Sequence, residues 1–102
     1  MIVIDKNAGP KIPYEVNGTK ITFDDDLMLN LAKRQGDEPV HIIICYNKAR
    51  ALIIGTQDAW AFVAEIDIPA REYAEPESED DSPVPLPLDM DNVTLTLWAI
   101  EE

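Results

Sequence analysis

The sequence predicts an α+β fold, predominantly antiparallel β, with about six to seven strands in a barrel-like or two-layer sandwich body. It adds one short α-helix over about residues 25–35 and a long acidic, Pro-rich loop. Three observations carry this reading. Asn17-Gly18 lies between two alternating apolar runs, the spacing turns helical after Asp24, and long β-forming runs follow from Val40 onward.

Taken in order, Met1 to Ile4 reads as a short strand. Asp5, Lys6 and Asn7 then close the apolar run before the roughly 7 to 15 residues of a signal-peptide core, so no targeting segment is expected. Asn-Gly supplies the two positive φ angles of a type I′ turn, which makes Ile12 to Phe23 a hairpin with Asn17-Gly18 at its tip. That register sets Glu15 opposite Lys20 and Tyr14 opposite Ile21. It gathers Ile12, Tyr14, Val16, Ile21 and Phe23 on one face.

Leu27, Met28, Leu31 and Ala32 then recur at helical spacing, with Asp24 as N-cap and Asp25 and Asp26 in the first turn. Lys33 and Arg34 complement the helix dipole at the other end, and Gly36 follows as the stop. Val40 to Tyr46 and Ala49 to Ile54 form a second hairpin around Asn47-Lys48, with Cys45 opposite Arg50 and Ile43 opposite Leu52. Both faces of this hairpin are largely apolar. A single short helix covers only one of them, so barrel closure, a second layer or a partner subunit must cover the other.

In Ala59 to Ile68, Trp60, Phe62, Ala64, Ile66 and Ile68 alternate with Ala61, Val63, Glu65 and Asp67, the pattern of a half-buried strand. Val93 to Ile100 is the last strand, with Val93, Leu95 and Leu97 on one side and Thr94, Thr96 and Trp98 on the other. Between them, residues 72–91 read as an extended, solvated loop in which acids are followed by Pro83, Pro85 and Pro87.

The chain has 102 residues, the size of one domain, 1–102, and 46% of them are apolar. Its formal charge of −12 is unevenly spread. Up to Arg71 there are ten acids against eight bases, whereas from Glu72 onward there are ten acids and no base. A body without basic excess argues against nucleic acid or an anionic membrane as direct partner, so an electrostatic partner would be basic. The lone Cys45 makes no internal disulfide, which fits the cytoplasm, and no apolar run reaches the roughly 20 residues that span a bilayer.

Residues with catalytic potential have ordinary structural readings. His41 is the single histidine and sits at a strand end; Cys45 shares its face but lies roughly 13 Å along the strand, too far to pair with it. Glu65 and Asp67 stand about 6.6 Å apart on one strand face, a spacing that suits paired carboxylates and equally any solvated strand. Asp24 to Asp26 could bind calcium but are accounted for as an N-cap with first-turn acids, Asp89 to Asn92 lacks the Gly and terminal Glu of a calcium loop, and the four glycines are too dispersed for a phosphate loop. No catalytic, metal-binding or cofactor-binding residue is therefore assigned.

The interaction candidates are Trp98 with Thr94 and Thr96, and the acids Glu75, Glu77, Glu79, Asp80 and Asp81. The expected function is that of a small acidic structural or accessory protein, of the kind found among bacterial and phage genes, acting through protein contacts and self-association. The alternative is an acidic inhibitor that mimics nucleic acid in the groove of a nuclease or other DNA-binding protein. A third reading is a small hydrolase using Glu65 and Asp67.

Overall fold

The computed structural model describes residues 1–74 and 83–100. Among the described residues there are ten strands: β1 (Ile2–Asp5), β2 (Tyr14–Asn17), β3 (Lys20–Phe23), β4 (Leu27–Asn30), β5 (Val40–Tyr46), β6 (Leu52–Ile54), β7 (Ala61–Ile68), β8 (Tyr73–Ala74), β9 (Val84–Pro85) and β10 (Thr94–Leu97). One helical turn, α1 (Leu31–Arg34), follows β4, and a 3₁₀ turn (Met90–Asn92) precedes β10. The fold is thus strand-rich, and its pairings are antiparallel except for the edge pair of β1 with β10.

The strands form an open five-stranded sheet in the order β1-β10-β7-β5-β6, a three-stranded meander β2-β3-β4 and the short β8-β9 pair. The two larger sheets share one core. Ile12, Ile21, Phe23, Leu29 and Leu31 from the meander side meet Ile42, Ile44, Ala64, Ile66, Ile68, Leu95 and Leu97 of the five-stranded sheet, all essentially inaccessible to water. The pairing register lines these up in rows, Ile42 beside Ile66 beside Leu95 and Ile44 beside Ala64 beside Leu97. Each large aliphatic side chain buried there contributes about 1.5–3 kcal/mol.

The expected helix over 25–35 is largely replaced by strand. Asp24 and Asp25 take φ of 52° and 51°, and the Asp26 amide donates to the Phe23 carbonyl at 2.9 Å, so the three aspartates close a tight turn instead of capping a helix. Asp tolerates this left-handed backbone better than most residues. Leu27 to Asn30 then pairs with β3. Met28 faces out at 55% exposure while Leu29 is buried, a period of two that the apolar run from Leu27 to Leu31 satisfies as well as a helical one. Only the predicted C-terminal end survives, with Lys33 and Arg34 in the last turn and Gly36 just beyond the C-cap Gln35.

The first hairpin turns one residue later than expected. Gly18 alone has positive φ, 63°, and Asn17 pairs with Lys20, so the turn residues are Gly18-Thr19, the arrangement of a turn with Gly at its first central position. Val16 now faces Ile21, Tyr14 faces Phe23, and Glu15 faces Thr22 instead of Lys20. Moving the tip by one residue slides the partners by two, and the apolar face is preserved. The Leu31 amide, donating to the Thr19 carbonyl at 2.9 Å, ties this turn to the end of β4.

The second hairpin also departs from expectation. Its loop covers residues 47–51, because Asn47 Oδ1 accepts from the Ala49 and Ala51 amides and the positive φ, 61°, falls on Arg50 rather than Lys48. Cys45 consequently faces Ile53.

Of the segment read as a loop over 72–91, residues 75–82 lie outside the described residues; on either side of them Tyr73 pairs with Pro85 and Ala74 with Val84. The base of this pair is anchored by Arg71, whose guanidinium donates to the Gln35 carbonyl at 2.7 Å and lies 3.6 Å from Asp37. The segment between β1 and β2 runs along the C-terminal strand end. The Ala99 amide donates to Asn7 Oδ1 at 2.7 Å and the Ile100 amide to the Pro10 carbonyl at 2.8 Å, with Gly9 between them at φ 134°.

Candidate functional site

The side of the five-stranded sheet turned away from the core is open. Reading across the register, Ile2, Thr94, Asp67 and His41 form one row, and Ile4, Thr96, Glu65 and Ile43 the next. A third row holds Trp98, Phe62, Cys45 and Ile53. Ile2, Ile4 and Phe62 keep 52%, 46% and 43% of their surface exposed. Among the described residues no long helix covers this face, and none is long and apolar enough to cross a membrane.

A β-bulge sets the composition of the third row. Ile44 pairs with Ala64 but Cys45 pairs with Phe62, so Val63 is the extra residue on β7 and both Val63 and Ala64 are buried. The alternation of the sequence puts Phe62 on the same side as Ala64 and Ile66. The bulge reverses it, and Phe62 comes out beside Trp98, with ring centroids 5.1 Å apart and planes tilted by 35°. Such an offset aromatic pair is favourable beyond its buried area.

The polar centre is a connected chain of side chains. His41 Nδ1 lies 2.5 Å from Asp67 Oδ1, and His41 Nε2 lies 3.1 Å from Glu65 Oε1. Glu65 Oε2 accepts the Trp98 indole N–H at 2.8 Å. The Lys6 ammonium sits 5.4 Å from the centroid of the Trp98 ring, within cation–π range. The hydrogen bond to Asp67 holds the His41 imidazole above its ordinary value of 6.5, partly offset by desolvation and assisted by the charges of Asp67 and Glu65. Both ring nitrogens face carboxylates, an arrangement that only the doubly protonated imidazolium satisfies in full.

Cys45 lies fully buried in the third row, and burial, reinforced by the charge of Glu65, pushes its thiol above the ordinary value. This is the opposite of what activates a nucleophile. Glu65 and Asp67 each turn a carboxylate oxygen to a different nitrogen of His41. A cleft of about 140 Å³ lies elsewhere, between Asp24, Tyr46, Arg50, Trp60, Ala61 and Ile100. Its Arg50 guanidinium rests 5.8 Å from the Trp60 ring.

Of the interaction candidates named from the sequence, Trp98, Thr94 and Thr96 share this open face, and Trp98 makes contact with the carboxylate of Glu65. Glu75, Glu77, Glu79, Asp80 and Asp81 lie outside the described residues. The bridging place of His41, and the company of Ile2 and Ile4, are not in the sequence reading. Alternation put Glu65 and Asp67 on one face, but only the β5–β7 and β1–β10 registers set His41 and the two isoleucines beside them. No protein-family model, curated protein or solved structure matches the chain.

Proposed function

We propose that this chain is a non-enzymatic protein-binding module, a small acidic accessory protein of the cytoplasm, that docks a partner on the outward face of its five-stranded sheet. The observation that carries the reading is the combination on one open surface of exposed Ile2, Ile4 and Phe62 with the Trp98 ring and a fixed polar centre. Aromatic and aliphatic anchors around a few oriented polar groups are the usual make-up of an interface centre. Cys45, buried and unpaired, is consistent with a reducing compartment.

A specific feature favours self-association as a second mode. Among the described residues β1 is an edge strand paired on one side only, Ile2, Val3 and Ile4 are all about half exposed, and the strand holds no proline or lysine and a single charge, Asp5, at its end. Such an unprotected edge invites a further strand, including β1 of a second copy.

The test uses the full chain and two variants, Phe62→Ser on the face and Ile4→Lys on the edge strand. The wild type is expected to bind an environment-sensitive apolar dye and to capture a partner from host extract. Both signals should fall by most of their amplitude in Phe62→Ser, and concentration-dependent association in sedimentation should be lost in Ile4→Lys. If Phe62→Ser retains the same dye signal and the same partners, the face is not the docking surface.

A further inference from the structure

We propose that Glu65 and Asp67 form a slot for an arginine of a basic partner segment, and that His41 is the slot's own occupant, released when its imidazole loses a proton. This deepens the docking reading and rests on it.

Glu65 and Asp67 are two residues apart on β7 and project from the same face, and one planar cation already spans them through two N–H groups. An arginine guanidinium presents the same feature, a rigid planar fork of N–H donors that cannot be deprotonated. Glu65 is held in place by the Trp98 indole through its other oxygen, so its orientation does not depend on His41. Around the carboxylates stand Ile4 and Phe62, apolar surface against which a long cationic side chain packs its stem.

The charge balance then indicates the class of partner. With His41 protonated, both carboxylates are satisfied from within. With His41 neutral, one ring nitrogen is a lone pair facing a carboxylate oxygen, and that oxygen loses its donor from within the chain, although Glu65 keeps the Trp98 indole on its other oxygen. Among the described residues the groups facing His41 are few. From β7 come Asp67 and Glu65; from β10 come the uncharged Thr94 and Thr96 and the Trp98 N–H; on its own strand stand Ile43 and the buried thiol of Cys45. The other nearby cation, Lys6, is placed over the Trp98 ring. A chain of formal charge −12 draws basic partners, so at this slot, as distinct from the β1 edge, a basic segment is the occupant that the charge favours.

The experiment uses the single histidine of the chain as its own reporter. The His41 ring is titrated by NMR in the full-length protein, and binding is measured to a peptide of alternating valine and arginine and to its citrulline analogue. Amides of Glu65, Asp67, Thr94 and Thr96 are expected to shift with the arginine peptide. Affinity should rise at least about tenfold from one pH unit below to one above the His41 midpoint, with the citrulline peptide at least about tenfold weaker at the higher pH. Glu65→Gln and Asp67→Asn should each lose most of the affinity, and His41→Ala should bind equally at both pH values. Equal affinity for the two peptides, no dependence on pH in the wild type, or a dependence that survives in His41→Ala overturns the slot. If both peptides bind this face equally, docking stands and the slot alone fails. If neither binds and Phe62→Ser also leaves partner capture unchanged, both fail.

Discussion

Gly9→Ala offers the most direct test of how the candidate face is held together. Gly9 has φ 134°, and a Cβ built there would lie 2.8 Å from the Ala99 Cβ, where ordinary contact begins near 3.4 Å. Two costs follow. Holding alanine at that backbone angle costs about 1–2 kcal/mol, and separating the two methyl groups costs a similar amount, since both chains are pinned by the Asn7–Ala99 and Pro10–Ile100 hydrogen bonds. The combined loss of about 3 kcal/mol corresponds to a fall in Tm of roughly 10–20 °C for a domain of this size. Urea denaturation followed by tryptophan emission measures it, and Trp98 adjoins Ala99, so the signal reports on the affected segment. Ala99→Gly in the same chain removes the contacting methyl and should return about half of the loss, leaving the backbone component. A Gly9→Ala protein within about 0.5 kcal/mol of wild type, or a double variant no better than the single one, would refute this account of the packing.

Three further outcomes are expected. Ile66→Ala, opening a cavity between Ile42 and Leu95, should cost about 2–5 kcal/mol by denaturant unfolding, whereas Phe62→Ser, on the same strand but outside the core, should cost under about 1.5 kcal/mol. Because the Asp67 hydrogen bond raises the His41 pKa, its stabilisation is fully present below the unfolded value of about 6.5 and lost as pH rises through the folded value. Urea midpoints of wild type and His41→Asn should therefore differ most at low pH and converge above it, and a gap that widens with pH would contradict the bridge. Cys45, buried and with a raised pKa, should resist a thiol reagent in the native protein and react stoichiometrically once unfolded. Rapid native labelling would show that its covering of Phe62 and Ile53 opens readily.

The comparison of sequence with structure separates local from non-local information. All seven segments read as strands are strands, with ends displaced by a few residues, because alternation of apolar and polar side chains is a property of each segment alone. The helix failed at its start, where three aspartates serve equally as a cap or as a tight turn, and where Leu27 to Leu31 fits both periods. What settled it was the unpaired edge of β3, which offers Leu27 to Asn30 a full ladder of backbone hydrogen bonds. The surplus of apolar surface was also legible, since the β5 and β6 residues are apolar on both faces, but where it would surface was not.

Composition and pattern alone determined that this chain builds a strand-rich domain, that its acidity is concentrated late in the sequence, and that Trp98, Thr94 and Thr96 share a strand face. Only the tertiary structure decided that Phe62 points outward, because one bulged residue at Val63 reverses the alternation, and that His41 lies between Glu65 and Asp67. The physical reason is the same in both cases. Which residues share a face within a strand is fixed by covalent geometry, whereas which residues meet across strands is fixed by register, and register is set by turns, bulges and the whole core.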